Sequence, residues 1–152
     1  MICKNAIAVL LLMLLTSCVS TKSTIKNIDD SAPIPTLTKD NTFLITKFST
    51  DKRYGFDPDF PVNVYFRNTN NDSINQQRFI RALAGPKGEK LAFKKVETCC
   101  PFPSKKTVMG AGYLDIYEVT WEGLAKPLRL YINMFEKGIL MVPVGMGLAK
   151  TQ

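Results

Sequence analysis

Residues 128–144 read LRLYINMFEKGILMVPV, and their pattern is the clearest indication of the fold class in this sequence. Its first half alternates apolar and polar residues, with Leu130 and Ile132 on one side and Arg129 on the other. A period of two is typical of a strand with one buried face. A Glu-Lys-Gly turn follows at 136–138, and a second apolar run returns after it. We therefore predict a β-hairpin here, with Leu130 and Ile132 in the core.

Upstream of this hairpin, the chain carries four more β-favouring runs and one helical pattern. The predicted strands cover 42–46, 62–66, 91–96 and 113–121, and the predicted helix covers 73–84. Gly85 and Pro86 end the helix, because neither residue continues a helical backbone well. Together with the hairpin, this makes about six mainly antiparallel strands and one short helix. The sequence predicts a β-rich α+β fold.

The N-terminus resembles the signal peptide of a bacterial lipoprotein over residues 1–17. Lys4 supplies the positive charge, and residues 6–15 form an uninterrupted apolar run that is too short to span a bilayer as a helix. The run ends in Leu-Thr-Ser before Cys18, which resembles a lipobox. We expect Cys18 to be lipidated and the chain to be cleaved before it. An ordinary signal peptide with a chance cysteine and an uncleaved anchor are the alternatives.

Residues 18–40 contain many Ser, Thr, Lys, Asp and Pro residues and show no apolar period. We interpret them as the lipidated cysteine followed by a flexible tether that is dispensable for folding. The same composition also fits an export signal for surface display. Residues 41–152 are then expected to form a single β-rich globular domain.

Composition limits the chemistry. The chain has no histidine, so Ser-His-Asp and Cys-His catalysis and the commonest zinc ligand sets are absent. No CxxC spacing occurs among the four cysteines. We predict no catalytic residues, no metal site and no cofactor. The net charge of +7 is scattered along the chain, whereas nucleic-acid proteins usually concentrate it, so we predict no nucleic-acid partner.

Cys99 and Cys100 are adjacent and precede Pro101. In an oxidising compartment they can form a vicinal disulfide, which makes a stiff turn. Two small buried thiols at a strand end, or a reactive pair that contacts a ligand, are the other interpretations. The sequence leaves these three open.

Two further groups are candidates for chemistry. Asp115, Glu118 and Glu122 could supply acid–base groups, although Asp115 and Glu118 should face opposite sides of a strand. Tyr113, Tyr117 and Trp121 could line a surface on which sugars stack, with core packing as the alternative.

Several motifs occur together between residues 54 and 146. They are Tyr54-Gly55, RFIRAL at 78–83, GPKGE at 85–89, CCPF at 99–102, YEVTWEG at 117–123, YINM at 131–134 and VPVG at 142–145. As a set they resemble a family of small lipoproteins from Bacteroidota-type bacteria. Some members carry the name 2-dehydro-3-deoxyphosphooctonate aldolase, which implies an enzyme of sugar-acid metabolism. Such enzymes resemble (β/α)₈ barrels of about 250 residues, whereas this chain has 152.

The leading hypothesis is therefore an envelope lipoprotein that is bound to membrane lipid through Cys18. We favour the outer membrane over the inner membrane as its location. We expect its β-rich domain to bind or scaffold an envelope protein or a glycan. The sugar-acid enzyme is the alternative hypothesis.

Overall fold

The computed structural model describes residues 22–66 and 72–150. Within these ranges the chain forms six strands and one helix in this order: β1 (Val62–Asn63), α1 (Asp72–Arg81), β2 (Leu83–Ala84), β3 (Ala92–Pro103), β4 (Ala111–Thr120), β5 (Leu128–Asn133) and β6 (Gly147–Leu148). The prediction of a β-rich α+β fold is confirmed. Residues 1–17 and Cys18 lie outside the described residues.

The strands form two sheets. The larger one has the order β1-β5-β4-β3, in which β3–β4 and β4–β5 pair antiparallel and β1–β5 pair parallel. The smaller sheet pairs β2 with β6 antiparallel. The long β3–β4 hairpin projects beyond the rest of the sheet and ends in the loop at 104–110, which we call the hairpin tip.

One surface of the larger sheet, the helix face, packs against α1. The register places Tyr117 opposite Leu130 and Asp115 opposite Ile132, so these four side chains share that surface. Leu130 and Ile132 are fully buried in the main hydrophobic core, as the alternating pattern predicted. The core is completed by residues of α1 and of the loops on either side of β1, among them Phe43, Phe66, Phe79 and Ile80.

The predicted hairpin over 128–144 is wrong in its second half. β5 forms as expected, but residues 139–144 belong to no strand, and Val142 makes only an isolated parallel bridge to Phe48. Both edges of β5 are already occupied. β4 pairs along one edge, and on the other edge Tyr131 N–H donates to Gly55 O, while Val64 N–H donates to Asn133 O. No edge of β5 remains for a returning strand.

The predicted helix over 73–84 extends three residues beyond the end of the observed helix. α1 ends at Arg81, and Leu83 and Ala84 form β2, which pairs with β6 more than sixty positions further along the chain. Such a long-range partner leaves no signal in the local periodicity. The predicted strand at 42–46 is only an isolated bridge between Leu37 and Phe43, although Phe43 itself is buried in the core.

The flexible tether predicted over 18–40 is wrong for its described part, residues 22–40, which we call the N-terminal segment. Ile25 and Ala32 are buried. Lys26 N–H donates to Asp59 O and Asp29 N–H donates to Lys137 O, both at 2.8 Å. The domain therefore begins by residue 22 and not at residue 41. The docking depends on main-chain hydrogen bonds and only a few apolar side chains. The hydrophobic pattern of the sequence therefore does not indicate it.

The N-terminal segment covers the other surface of the larger sheet, the segment face. Ile25 packs there with Phe102 and Leu114 in a second, smaller hydrophobic cluster. Beside this cluster runs an asparagine ladder. Asn133 Nδ2 donates to Asn63 Oδ1 at 2.9 Å, and Asn63 Nδ2 donates to Asn27 O at 3.0 Å. Because buried amides are costly without partners, this ladder fixes the segment in one position.

Candidate functional site

A cluster of charged side chains lies at the base of the hairpin tip. Lys106 Nζ forms an ion pair with the carboxylate of Asp30 in the N-terminal segment and another, at 3.1 Å, with Glu136 just after β5. Glu136 is buried, and it accepts a hydrogen bond from Ser104 Oγ at 2.5 Å. Three separate parts of the chain are thus joined at one point.

The protonation of Lys106 follows from these contacts. Partial burial by itself would lower the pKa of Lys106, but the hydrogen bonds to Asp30 and Glu136 oppose it, and together with the attraction of the two carboxylates they raise the pKa above its ordinary value. The ammonium group therefore stays charged at neutral pH. Its two carboxylate partners make it a structural cation that positions the hairpin tip against the rest of the domain.

A cleft of about 590 Å³ opens beside this cluster, and we call it the lysine cleft. It is lined by Asp30, Ile34, Tyr65, Phe66, Lys105, Lys106 and Lys137. Three of these side chains carry a positive charge and one carries a negative charge, so the cleft is cationic. Its lining also includes the half-buried ring of Tyr65 and, beneath it, the buried ring of Phe66. Lys106 Nζ lies 5.8 Å from the centre of the Tyr65 ring, and Lys137 Nζ lies 5.8 Å from that of Phe66.

Lys137 is positioned by the N-terminal segment. Its Nζ donates to the main-chain oxygen of Asp30 at 3.2 Å, and its own main-chain oxygen accepts from Asp29 N–H. The segment thus forms one side of the cleft, through Asp30 and Ile34, and positions Lys137 within it. Lysines arranged around aromatic rings can bind a carboxylate or phosphate whose flat or apolar part rests on the rings.

A second cleft, of about 520 Å³, shares no residue with the lysine cleft. Arg81, Lys90 and Lys150 contribute charge, but apolar side chains such as Leu91 and Phe93 make much of its wall. Because this cleft is also basic and of similar size, substitutions in it are a matched control for substitutions in the lysine cleft.

Cys99 and Cys100 are joined by a disulfide bond. They lie in β3 where its register with β4 shifts between Cys99 and Phe102, and Cys100 has a positive φ of 57°. Both cysteines are half-buried against the second hydrophobic cluster. Of the three arrangements that the sequence left open, this is the vicinal disulfide, and it lies in a bulge of the edge strand.

Asp115 and Glu118 do not form a carboxylate pair. Asp115 lies on the helix face, where Gln76 Nε2, Thr98 Oγ1 and Lys95 Nζ contact its carboxylate at 2.9, 2.7 and 2.6 Å. Burial would raise the pKa of Asp115, but these hydrogen bonds together hold it below its ordinary value. Glu118 is directed elsewhere, toward Lys94 and Arg129. Both carboxylates are therefore partners of cations in the fold.

The three aromatic candidates do not form one exposed surface either. Tyr117 is buried, and its hydroxyl donates to Gln76 Oε1 at 2.6 Å. Trp121 packs against the main core, and Tyr113 alone among the three is exposed. The core-packing interpretation holds for Tyr117 and Trp121.

Sequence reasoning missed Gln76, which bridges Asp115 and Tyr117 from α1, and the Lys106 cluster. Lys105 and Lys106 stood out in the sequence only as a pair of adjacent lysines. The partners of Lys106 lie 76 positions before it and 30 after it, so no local pattern could reveal them. An asparagine in an alternating apolar strand, such as Asn133, is a usable signal of a buried polar contact.

In the part of the chain that the structure describes, no three Cys, Asp or Glu residues come together as a metal site would require. The same residues include no helix with the length and apolar character needed to cross a bilayer. Comparison of the chain with models of protein families, with curated proteins and with solved structures gives no match.

Proposed function

We propose that this chain is a lipid-anchored bacterial envelope protein whose β-rich domain binds an anionic sugar in the lysine cleft. The observation that carries the binding role is the convergence of Lys105, Lys106 and Lys137 on a cleft that the half-buried ring of Tyr65 also lines. A carboxylate or phosphate on a sugar ring matches both features, because the charge pairs with ammonium groups and the ring can rest on an aromatic face.

The anchor is supported by the sequence around Cys18, where an apolar run and two small residues precede the cysteine. Replacing Cys18 with Ser should abolish labelling by a fatty-acid analogue and release the protein from membranes, because the thiol that accepts the lipid is gone. Membrane fractionation with metabolic labelling measures this. Retention of the variant on membranes, with neither form labelled, would contradict the anchor.

The lysine cleft is tested by reversing charge at residues that line it without belonging to the Lys106 ion pairs. Lys105→Glu combined with Lys137→Glu should weaken binding of glucose 6-phosphate or galacturonate at least tenfold, because each ammonium group contributes a charge-assisted contact. Titration followed by NMR shifts gives the affinity, with uncharged glucose as the reference ligand.

Lys90→Glu together with Lys150→Glu, in the second cleft, is the matched control, since it changes the net charge by the same amount. We expect this control to alter the affinity less than twofold. Equal weakening by both pairs of substitutions would mean that net charge alone attracts the anion, and would overturn the assignment of the cleft.

The alternative hypothesis, an enzyme of sugar-acid metabolism, makes a different prediction. The described residues form a four-stranded and a two-stranded sheet, not the eight parallel strands of a (β/α)₈ barrel. A bound anionic sugar should therefore be recovered unchanged after long incubation. Its turnover in the presence of the protein would favour the enzyme.

A further inference from the structure

The hairpin tip exposes two neighbouring apolar side chains to an unusual degree. Val108 is fully exposed and Met109 is 81% exposed, the highest values among the large apolar side chains that the structure describes. Single exposed apolar residues are common on protein surfaces, but an adjacent pair at the end of a projecting hairpin is a feature of interaction sites.

The loop that carries this pair is held in shape by hydrogen bonds. Ser104 N–H donates to Gly110 O at 3.0 Å, and Gly110 N–H donates to Thr107 O at 3.2 Å. Thr107 Oγ1 donates to Ala111 O at 2.9 Å. The turn also uses the positive φ of Gly110, 71°, which favours glycine. Val108 and Met109 are thus presented by an ordered turn, so contact with a partner costs little conformational entropy.

Charge surrounds the apolar pair on the domain side. Lys105 and Lys106 precede it in the tip, and Lys137 lines the adjoining cleft. Tyr113, which is 42% exposed, follows four positions after Met109. This order, with apolar residues at the end, lysines next to them and then an amphipathic aromatic residue, is typical of protein surfaces that contact the interface of an anionic bilayer.

The N-terminal segment contacts the β3–β4 hairpin close to its tip. Ile25 packs against Phe102, the second-last residue of β3, and Cys18 precedes Ile25 by seven positions. Fully extended, that stretch spans at most about 25 Å. With a lipid at Cys18, the docked segment therefore keeps Ile25, and with it the nearby hairpin tip, close to the bilayer surface.

From these observations we propose that the hairpin tip is a second membrane contact, in which Val108 and Met109 enter the interface of an anionic bilayer while Lys105 meets its headgroups. This inference rests on the lipid anchor proposed at Cys18. Two apolar residues alone bind a membrane weakly. The anchor makes their insertion an intramolecular step at high effective concentration, so the weak contact suffices to orient the domain.

The test uses the mature lipidated protein reconstituted into vesicles of phosphatidylcholine, with or without roughly one third phosphatidylglycerol as the anionic lipid. An environment-sensitive fluorophore is attached at Met109→Cys. Cys99 and Cys100 are occupied by their disulfide, so the introduced thiol is the one labelled. Lys94→Cys is the matched control, because Lys94 lies nine positions before the end of β3, about 30 Å from the tip.

We expect the label at position 109 to shift to the blue and to be quenched by a quencher embedded in the bilayer, more strongly with anionic lipid. The label at position 94 should report water in both vesicles. A second variant, Val108→Asp carrying the label at 109, should lose the blue shift while the protein still floats with the vesicles.

The outcomes separate the two proposals. Protein that floats with vesicles but keeps label 109 in water overturns the tip contact and leaves the anchor intact. Protein that does not float contradicts the anchor itself. A blue shift seen in native envelope membranes but absent in pure lipid would point to a protein partner and overturn the lipid assignment.

Discussion

The two surfaces of the larger sheet are stabilised in different ways. On the helix face, Val62, Leu130 and Ile132 are completely buried among other apolar side chains. On the segment face, a small cluster around Ile25 is joined by the asparagine ladder and by the ion pairs of Lys106. Hydrophobic burial contributes most of the stability of the helix face. On the segment face, hydrogen bonds and ion pairs determine where the N-terminal segment docks. A surface of the second kind can be docked firmly by a segment whose sequence looks like a linker.

The largest expected effect comes from removing the cover of the segment face. Deleting residues 22–32 should destabilise the domain by on the order of 5 kcal/mol, because it exposes the Phe102 and Leu114 side chains and leaves Asn63 without its partner. Urea denaturation measures the loss. Lys22→Asp, at an exposed position, is the control and should have little effect. A melting temperature within a few degrees of the intact domain would restore the tether interpretation.

The second-largest loss of stability is expected from a substitution on the helix face. Ile132→Ala should cost about 2–5 kcal/mol, since it removes buried methyl groups and leaves a cavity. Arg129→Ala, three positions earlier on the same strand, should cost well under about 1 kcal/mol because its side chain is largely exposed. Urea melts of the two variants decide the matter, and a larger loss for Arg129→Ala would contradict the register of β5.

A smaller loss is expected when the asparagine ladder is interrupted. Asn133→Ala should cost about 1–3 kcal/mol, because it leaves Asn63 Oδ1 and Phe135 N–H without their partner in a buried region. Thermal unfolding of this variant beside Arg129→Ala gives the comparison. If the two variants were equally stable, the polar contacts of the segment face would not contribute as described.

The smallest effect concerns acid stability on the helix face. The pKa of Asp115 is held below its ordinary value by Lys95, Thr98 and Gln76. Its ionised form therefore contributes stability above about pH 4, the usual carboxyl range, and this contribution is lost as the pH falls through the lowered pKa. Asp115→Asn should show lower stability at neutral pH and a flatter decline below pH 4. Unfolding curves across that acid range measure it; an unchanged decline would contradict the assignment.

The parts of the fold that the sequence predicts correctly depend on local periodicity. The buried positions of β5 follow from the alternation around Leu130 and Ile132, and α1 follows from its helical spacing. The errors arise where a distant partner overrides the local pattern. Leu83 leaves the predicted helix to pair with Leu148, and the run ending at Val144 finds β5 already paired on both edges.

The candidate site was less predictable than the fold. Its cations are visible in the sequence, but their grouping depends on Asp30 and Glu136, which the folded chain brings together from opposite ends of the domain. The docking of the N-terminal segment creates this proximity. Because asparagine side chains and main-chain groups make most of that docking, neither composition nor hydrophobic spacing indicates it.

The N-terminal segment also sets the order in which the protein can fold. Its main-chain partners lie at Asp59 and Lys137, and the strand it covers, β1, pairs with β5. A chain made from its N-terminus onward therefore presents one partner of the segment, Asp59, early and the other, Lys137, near the end. Contacts of wide sequence separation slow folding, since a long loop must close before they form. The contact with Lys137 can form only when nearly the whole chain is present, so we expect complete docking of the segment to be a late step of folding.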